Sequence, residues 1–241
     1  MNNRSMYRAL HQGRDLFYHE ISYGTASLCI GIAQEALPPL AAKLLRQAYD
    51  SVQQETIRNP AFLVSLAPLA PMEGAAKVPL AMYRAALAAD VGPMASVAGA
   101  IAEYVSCGLG ELSPNNIVEN GGDLYLMGDT SRTVAIYAGD SPLSNRIGLA
   151  ISAEQLPLSV CTSSATIGHS LSLGKADAAI ILAKSGALAD AAATTLGNAI
   201  VSADALPAAI ERASKIEGVL GAVGIIGDAL AAWGDVEIVK L

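Results

Sequence analysis

Between Ile117 and Cys161 the chain passes through five short runs of β character: "IVE", "DLYLM", "TVAIYAG", "RIGLAIS" and "LPLSVC". Turn residues such as Gly121-Gly122 and Gly139-Asp140 punctuate them. Short runs joined by tight turns pair with their neighbours in sequence, so this stretch predicts an antiparallel meander. The flanking segments come in blocks of one type. "LFYHEIS" alternates apolar and polar residues, and "SLCIGI" reads as a buried strand ending near Ile32. From Pro38 to about Asn59 the apolar residues Leu40, Leu44, Leu45, Ala48 and Val52 recur at helical spacing, with prolines at both boundaries. After a connector, "LAPLAPMEG", helices are expected over "AKVPLAMYRAALAAD" and over "MASVAGAIAEYVSCGL", restarted at Pro93. Beyond Cys161, "AAIILA" reads as a strand and "SGALADAAATTLGNA" as a helix. A further helix is expected at roughly Pro207 to Ile216, then strands at "GAVGIIG" and "VEIV". Blocks of strands and helices predict an α+β fold with antiparallel sheets rather than a doubly wound one.

Composition narrows the function classes. The 241 residues are 52% hydrophobic and 15% charged, which suits a packed core, and aromatics supply only 5%. Alanine and glycine take their place, so the core brings backbones close together. A net charge of −7 opposes a phosphate backbone, and the basic residues Arg4, Arg8 and Arg14 are too few to reverse it; no nucleic-acid partner is expected. Cys29, Cys107 and Cys161 are widely spaced without a CxxC, which predicts buried thiols in a reducing compartment. No apolar segment follows the early arginines, and the longest apolar run, Gly218 to Gly227, is too short to span a bilayer. A cytoplasmic protein without a membrane partner is the expectation.

Several stretches carry chemical groups. "VCTSSATIGHS" gathers Cys161, Thr162, Ser163, Ser164 and His169. With Asp177 as orienter this is the raw material of a hydrolase, but no GxSxG elbow accompanies it; hydroxyls that bond loop backbone are the alternative. "GHSLSLGKA" fails as a P-loop, because five residues separate Gly168 from Gly174 and Ala176 follows Lys175. The ladder Gly218, Gly221, Gly224, Gly227 lacks dinucleotide-binding spacing, and close packing accounts for it. On a helix, Asp190, Thr194 and Asn198 form one polar stripe among alanines and leucines. Oxygen donors of this kind suit a hard cation such as Mg²⁺; a helix cap or a solvent-facing stripe is the other reading. Glu103 sits on a second small-residue helix. Asn120, Gly121, Gly122 and Asp123 make a turn at the lip of a strand, a shape that holds either a ligand or only a hairpin.

Taken in order, these stretches resemble the ApbE-like proteins, FAD:protein FMN transferases, and in particular their uncharacterised branch. "VENGGDLYL" matches the family's Gly-Gly-Asp strand turn, "CTSSATIGHS" its Thr-Ser-Gly loop, and "ADAAAT" its Ala-Asp-Ala-x-x-Thr helix. The resemblance implies a T-fold-related architecture with antiparallel sheets carrying helices on one face. It also implies residues 1–241 as one ApbE-like domain, or two intertwined α+β halves. Asp190 and Thr194 would then be Mg²⁺ ligands at the pyrophosphate of FAD, or of a related nucleotide-type ligand. Asn120, Gly121, Gly122, Asp123, Thr162, Ser163, Ser164 and Glu103 would line the ligand, and His169 would orient phosphate or move a proton. Two departures stand out. Glu103 occupies the place of the family's lysine, and no Asp-Pro follows His169. Two functions therefore stay open: a Mg²⁺-dependent flavin or nucleotidyl transferase, and a non-catalytic binding or assembly protein on the same fold. A homo-oligomer is compatible with either.

Overall fold

The computed structural model describes residues 15–164 and 174–241; Arg4, Arg8, Arg14 and His169 lie outside the described residues. Eight strands form one sheet: β1 (Phe17–Tyr23), β2 (Ala26–Ile32), β3 (Asn116–Asn120), β4 (Asp123–Met127), β7 (Leu158–Ser163), β8 (Ala178–Ala183), β9 (Val219–Ile226) and β10 (Ala229–Gly234). Their spatial order is β1-β2-β3-β4-β7-β8-β9-β10, and every pairing is antiparallel. A second sheet, ordered β11-β6-β5, contains β5 (Arg132–Ala135), β6 (Ile147–Ile151) and β11 (Glu237–Lys240). The helices are α1 (Pro39–Arg58), α2 (Ala61–Val64), α3 (Lys77–Ala89), α4 (Val97–Leu109), α5 (Gly186–Ala199) and α6 (Leu206–Ser214). A 3₁₀ turn, Pro93–Ser96, leads into α4. The expected α+β class and antiparallel pairing are found.

The large sheet is covered on both faces. The helices pack on one face, against Leu28, Ile30, Val118, Tyr125, Cys161, Ile181 and Ala222 among others. The small sheet covers the other face, where Leu126, Leu158, Val160, Ile180, Leu182, Val223 and Ile225 meet Leu149 and Ile151. Double coverage explains why all six residues of β8, "AAIILA", are buried, because a strand with no solvent face has no reason to alternate. β7 does alternate, sending Leu158 and Val160 to the small sheet and Cys161 to the helices.

The α-helical layer depends on small residues. A Cβ on Gly99 of α4 would lie 2.2 Å from the carbonyl oxygen of Gly186 in α5, and one on Gly186 would lie 2.3 Å from that of Gly99. The two backbones therefore touch, and only glycine permits it. Close approach also accounts for part of the late glycine ladder: a Cβ on Gly221 would press on Val236, and one on Gly224 on Leu206 and Ile200.

Two expectations need correction. Cys29 and Cys161 are buried as thiols in a core should be, but Cys107 is exposed. The buried side of α4 is formed by Gly99, Ala100, Ile101, Ala102, Val105, Ser106 and Leu109, and Cys107 falls off that side. β10 and the short helix α2 occupy stretches with no expected element. The partly exposed run "ALAAWG" of β10 lacks any alternation that marks a strand. No helix among the described residues is long and apolar enough to cross a membrane.

Candidate functional site

The site forms where the β3–β4 hairpin, the end of β7, and the first turns of α4 and α5 converge. Asn120 and Asp123 face each other across the hairpin, and Gly121 and Gly122 make the two-residue connection. Their φ values are +68° and +109°, a left-handed pair that glycine adopts without strain. A Cβ there would meet nothing within 4 Å, so conformation rather than crowding calls for glycine. Glu119 closes the turn by accepting the Gly122 N–H at 2.8 Å. Sequence reasoning passed over Glu119; a carboxylate three residues before a turn amide was the signal available. Asn120 Nδ2 donates to the Ala98 carbonyl at 3.2 Å and ties the hairpin to the start of α4.

Asp123 and Asp190 meet in the space behind this turn. Asp123 is buried, and its Oδ1 accepts the Thr162 N–H at 3.0 Å. Burial pushes its carboxyl up to about 7, with the Glu119 charge adding to the rise; the Thr162 amide and the Cys161 thiol act the other way. Asp190 Oδ2 accepts the Gly99 N–H at 2.9 Å, and the Ala98 amide also favours its charged form. Part of Asp190 reaches the surface, yet burial is the largest cause holding its carboxyl well above the usual range, and the Asp123 charge comes next. Asp190 lies inside α5 and caps neither of its ends; it closes the N-terminus of α4 instead. Its proximity to the buried Asp123 carboxyl is what a plain cap lacks.

Cys161 lies against both acids and is fully buried. Its sulfur is 3.3 Å from Ser159 Oγ and 3.7 Å from the Gly186 carbonyl oxygen. Burial and the two carboxylates push its thiol well up, so it remains protonated and is a poor nucleophile. Asp177, the orienter of the hydrolase arrangement, instead accepts the Gly227 N–H at 2.7 Å and holds the β9–β10 turn. The hydrolase arrangement thus loses Cys161 as its nucleophile.

The hydroxyl run does not act as one set. Ser163 shares the helix-facing side of β7 with Cys161, and its Oγ lies 3.2 Å from where a Cβ on Gly197 would stand. By strand alternation Thr162 points to the opposite face, so its contribution to the site is the amide held by Asp123. Ser164 follows the end of β7 and is half-buried. Thr194 lies one turn beyond Asp190 on α5, half-buried, and its hydroxyl makes no hydrogen bond among the described residues. Glu103 Oε2 accepts the Gly186 N–H at 2.7 Å and the Ser185 hydroxyl at 3.2 Å, so it faces the start of α5.

Among the described residues no group of three or more His, Cys, Asp or Glu side chains is arranged to hold a metal ion. The donor set nonetheless fits a hard cation that keeps much of its shell for water or phosphate. Burial and the Asp123 charge raise the cost of charging Asp190, a cost that a divalent cation relieves as well as a proton does, and Thr194 lies one helical turn further along α5.

This antiparallel α+β arrangement is also the fold of solved ApbE flavin transferases. The chain superposes on the ApbE protein of Thermotoga maritima with a TM-score of 0.62 at 10% identity, covering 90% of this chain and 96% of that one. For the flavin transferase ApbE of Vibrio cholerae the TM-score is 0.60 at 12% identity, with the same coverage. At such identities the likeness is one of fold. Sequence places the chain more closely: it belongs to the family described as AbpE bacteria, whose model matches residues 8–221. It is 36% identical over 231 residues to a UPF0280 protein of Methanococcus aeolicus, spanning 93% of each chain. A UPF0280 protein of Methanocella arvoryzae is 40% identical over 204 residues, covering 84% of this chain and 83% of its own.

Proposed function

We propose that the protein binds a flavin nucleotide, FAD or a close relative, at the meeting point of the β3–β4 turn, the end of β7 and the first turns of α5. The observation that supports this reading is that the Asp123 charge bears on Asp190, the two acids standing in the stretches that match the family's Gly-Gly-Asp turn and Ala-Asp-Ala-x-x-Thr helix. Asp190 and Thr194 would hold Mg²⁺, with Asp123 setting the local charge. A bound Mg²⁺ supplies neutralisation of a pyrophosphate and of the oxygen that leaves when it is cleaved. The chain's own residues do the rest. Asn120, Gly121 and Gly122 shape the wall; the Thr162 amide keeps Asp123 turned inward; Ser163 and Ser164 offer hydroxyl donors. His169 would orient phosphate or move a proton.

A second reading, binding without turnover, is favoured by one observation. Glu103, in the place of the family's lysine, is bonded to the start of α5. Incubation with FAD and Mg²⁺, followed by chromatography for FMN and AMP, separates the two. Products that vanish in Asp190→Ala support the enzyme. Mg²⁺-dependent binding without products supports the second reading, and no FAD binding overturns both.

A further inference from the structure

The crossing of α4 and α5 is reciprocal. Gly99, in the first turn of α4, donates its N–H to Asp190 of α5; Gly186, the first residue of α5, donates its N–H to Glu103 of α4. Each helix N-terminus is closed by a carboxylate carried on the other helix, the end at which a negative charge is stabilised. The two glycines pack backbone to backbone, so neither helix can slide along or turn against the other without breaking both bonds. Ser185 strengthens the arrangement, since its hydroxyl bonds Glu103 and accepts the Leu188 N–H of the same helix. Asp190 is one helical turn beyond Gly186, and its direction follows from where α5 begins.

We infer that Glu103 is a positioning residue for Asp190: by clamping the first residue of α5 it fixes the direction in which Asp190 presents its carboxylate to the Asp123 side. This rests on the reading of Asp190 as a ligand-holding carboxylate. It also gives a physical reason for a carboxylate at position 103. A lysine would place a cation against the positive end of α5 and remove the acceptor for the Gly186 N–H.

The test combines amide hydrogen exchange with Mn²⁺ binding followed by electron paramagnetic resonance, on the wild type, Glu103→Ala, Glu103→Gln, Glu103→Asp and Asp190→Asn. In Glu103→Ala, exchange should quicken at Gly186 and also at Gly99, on the other half of the clamp. Mn²⁺ affinity should fall about tenfold, the usual scale for losing a residue that orients a ligand. Glu103→Gln keeps an oxygen for the Gly186 N–H and should restore most of the affinity. Glu103→Asp is one methylene shorter and should lie between; it carries the test if the alanine variant does not fold. Unchanged Gly99 exchange and unchanged Mn²⁺ affinity in a folded Glu103→Ala or Glu103→Asp overturn the proposal. If the wild type binds no Mn²⁺, or Asp190→Asn binds it equally well, the ligand reading of Asp190 fails, and exchange at Gly99 alone then decides whether Glu103 positions that side chain.

Discussion

The two faces of β7 make an instructive pair. Leu158 and Val160 enter an apolar layer between the sheets, shared with Leu126, Ile180, Leu182 and Ile225. One residue along, Ser159 and Cys161 face the helices, among Asp123, Asp190 and the Gly186 carbonyl. One strand thus serves an all-apolar core on one side and a polar, charge-bearing layer on the other. The difference shows how the fold supports acids within a packed layer. The apolar side supplies stability without specific partners. The polar side works only because each carboxylate has backbone amides: Thr162 for Asp123, Gly99 for Asp190, Gly186 for Glu103.

Mutations on the two sides should separate stability from binding. Leu158→Ala, on the apolar side, should destabilise by roughly 2–5 kcal/mol, read by chemical denaturation, and leave ligand affinity intact. Gly99→Ala strikes the helix crossing; parting the helices should destabilise by roughly 1–3 kcal/mol and weaken Mg²⁺-dependent FAD binding as well. If Gly99→Ala binds as the wild type does, the crossing does not shape the site.

Stability should also depend on pH. The folded state raises the Asp123 carboxyl to about 7, so between the ordinary carboxylate range and that value it binds more protons than the unfolded chain. Stability from this group is full below the unfolded value and is lost as pH rises through the folded one. Melting temperature without metal should therefore decline from about pH 5 to about pH 8, and Asp123→Asn should flatten that decline, an effect of roughly 2–3 kcal/mol. A wild-type decline that persists unaltered in the variant would assign it to other groups. The smallest effect is expected for Ser159→Ala, which removes the 2.8 Å bond to the Leu124 carbonyl and should cost about 1 kcal/mol, measured by denaturation.

What could be read from sequence tracks how local the determining interaction is. The β3–β4 hairpin was visible because Gly121-Gly122 signals a two-residue turn by itself. The stripe from Asp190 to Thr194 was visible because helical spacing puts both on one face, and family resemblance added a role. β10 was hidden, because "ALAAWG" pairs with β9 through backbone and carries no alternation. The roles of Glu103 and Glu119 were also hidden. Glu103 meets Gly186, 83 positions away, and no local pattern announces that contact. The run Thr162-Ser163-Ser164 looked like one donor set, but a strand turns successive side chains to opposite faces.

In the proposed function Asp190 is more than a cap for α4: its charge would hold the cation on which ligand binding depends. Isothermal titration of FAD with and without Mg²⁺, into the wild type and Asp190→Asn, tests it most directly. The asparagine keeps an oxygen for the Gly99 N–H and loses only the charge. Tight binding is expected for the wild type only with Mg²⁺ present, and that Mg²⁺-dependent gain should be lost in a folded Asp190→Asn. Equal FAD affinity in the two proteins, unaffected by Mg²⁺, would contradict it.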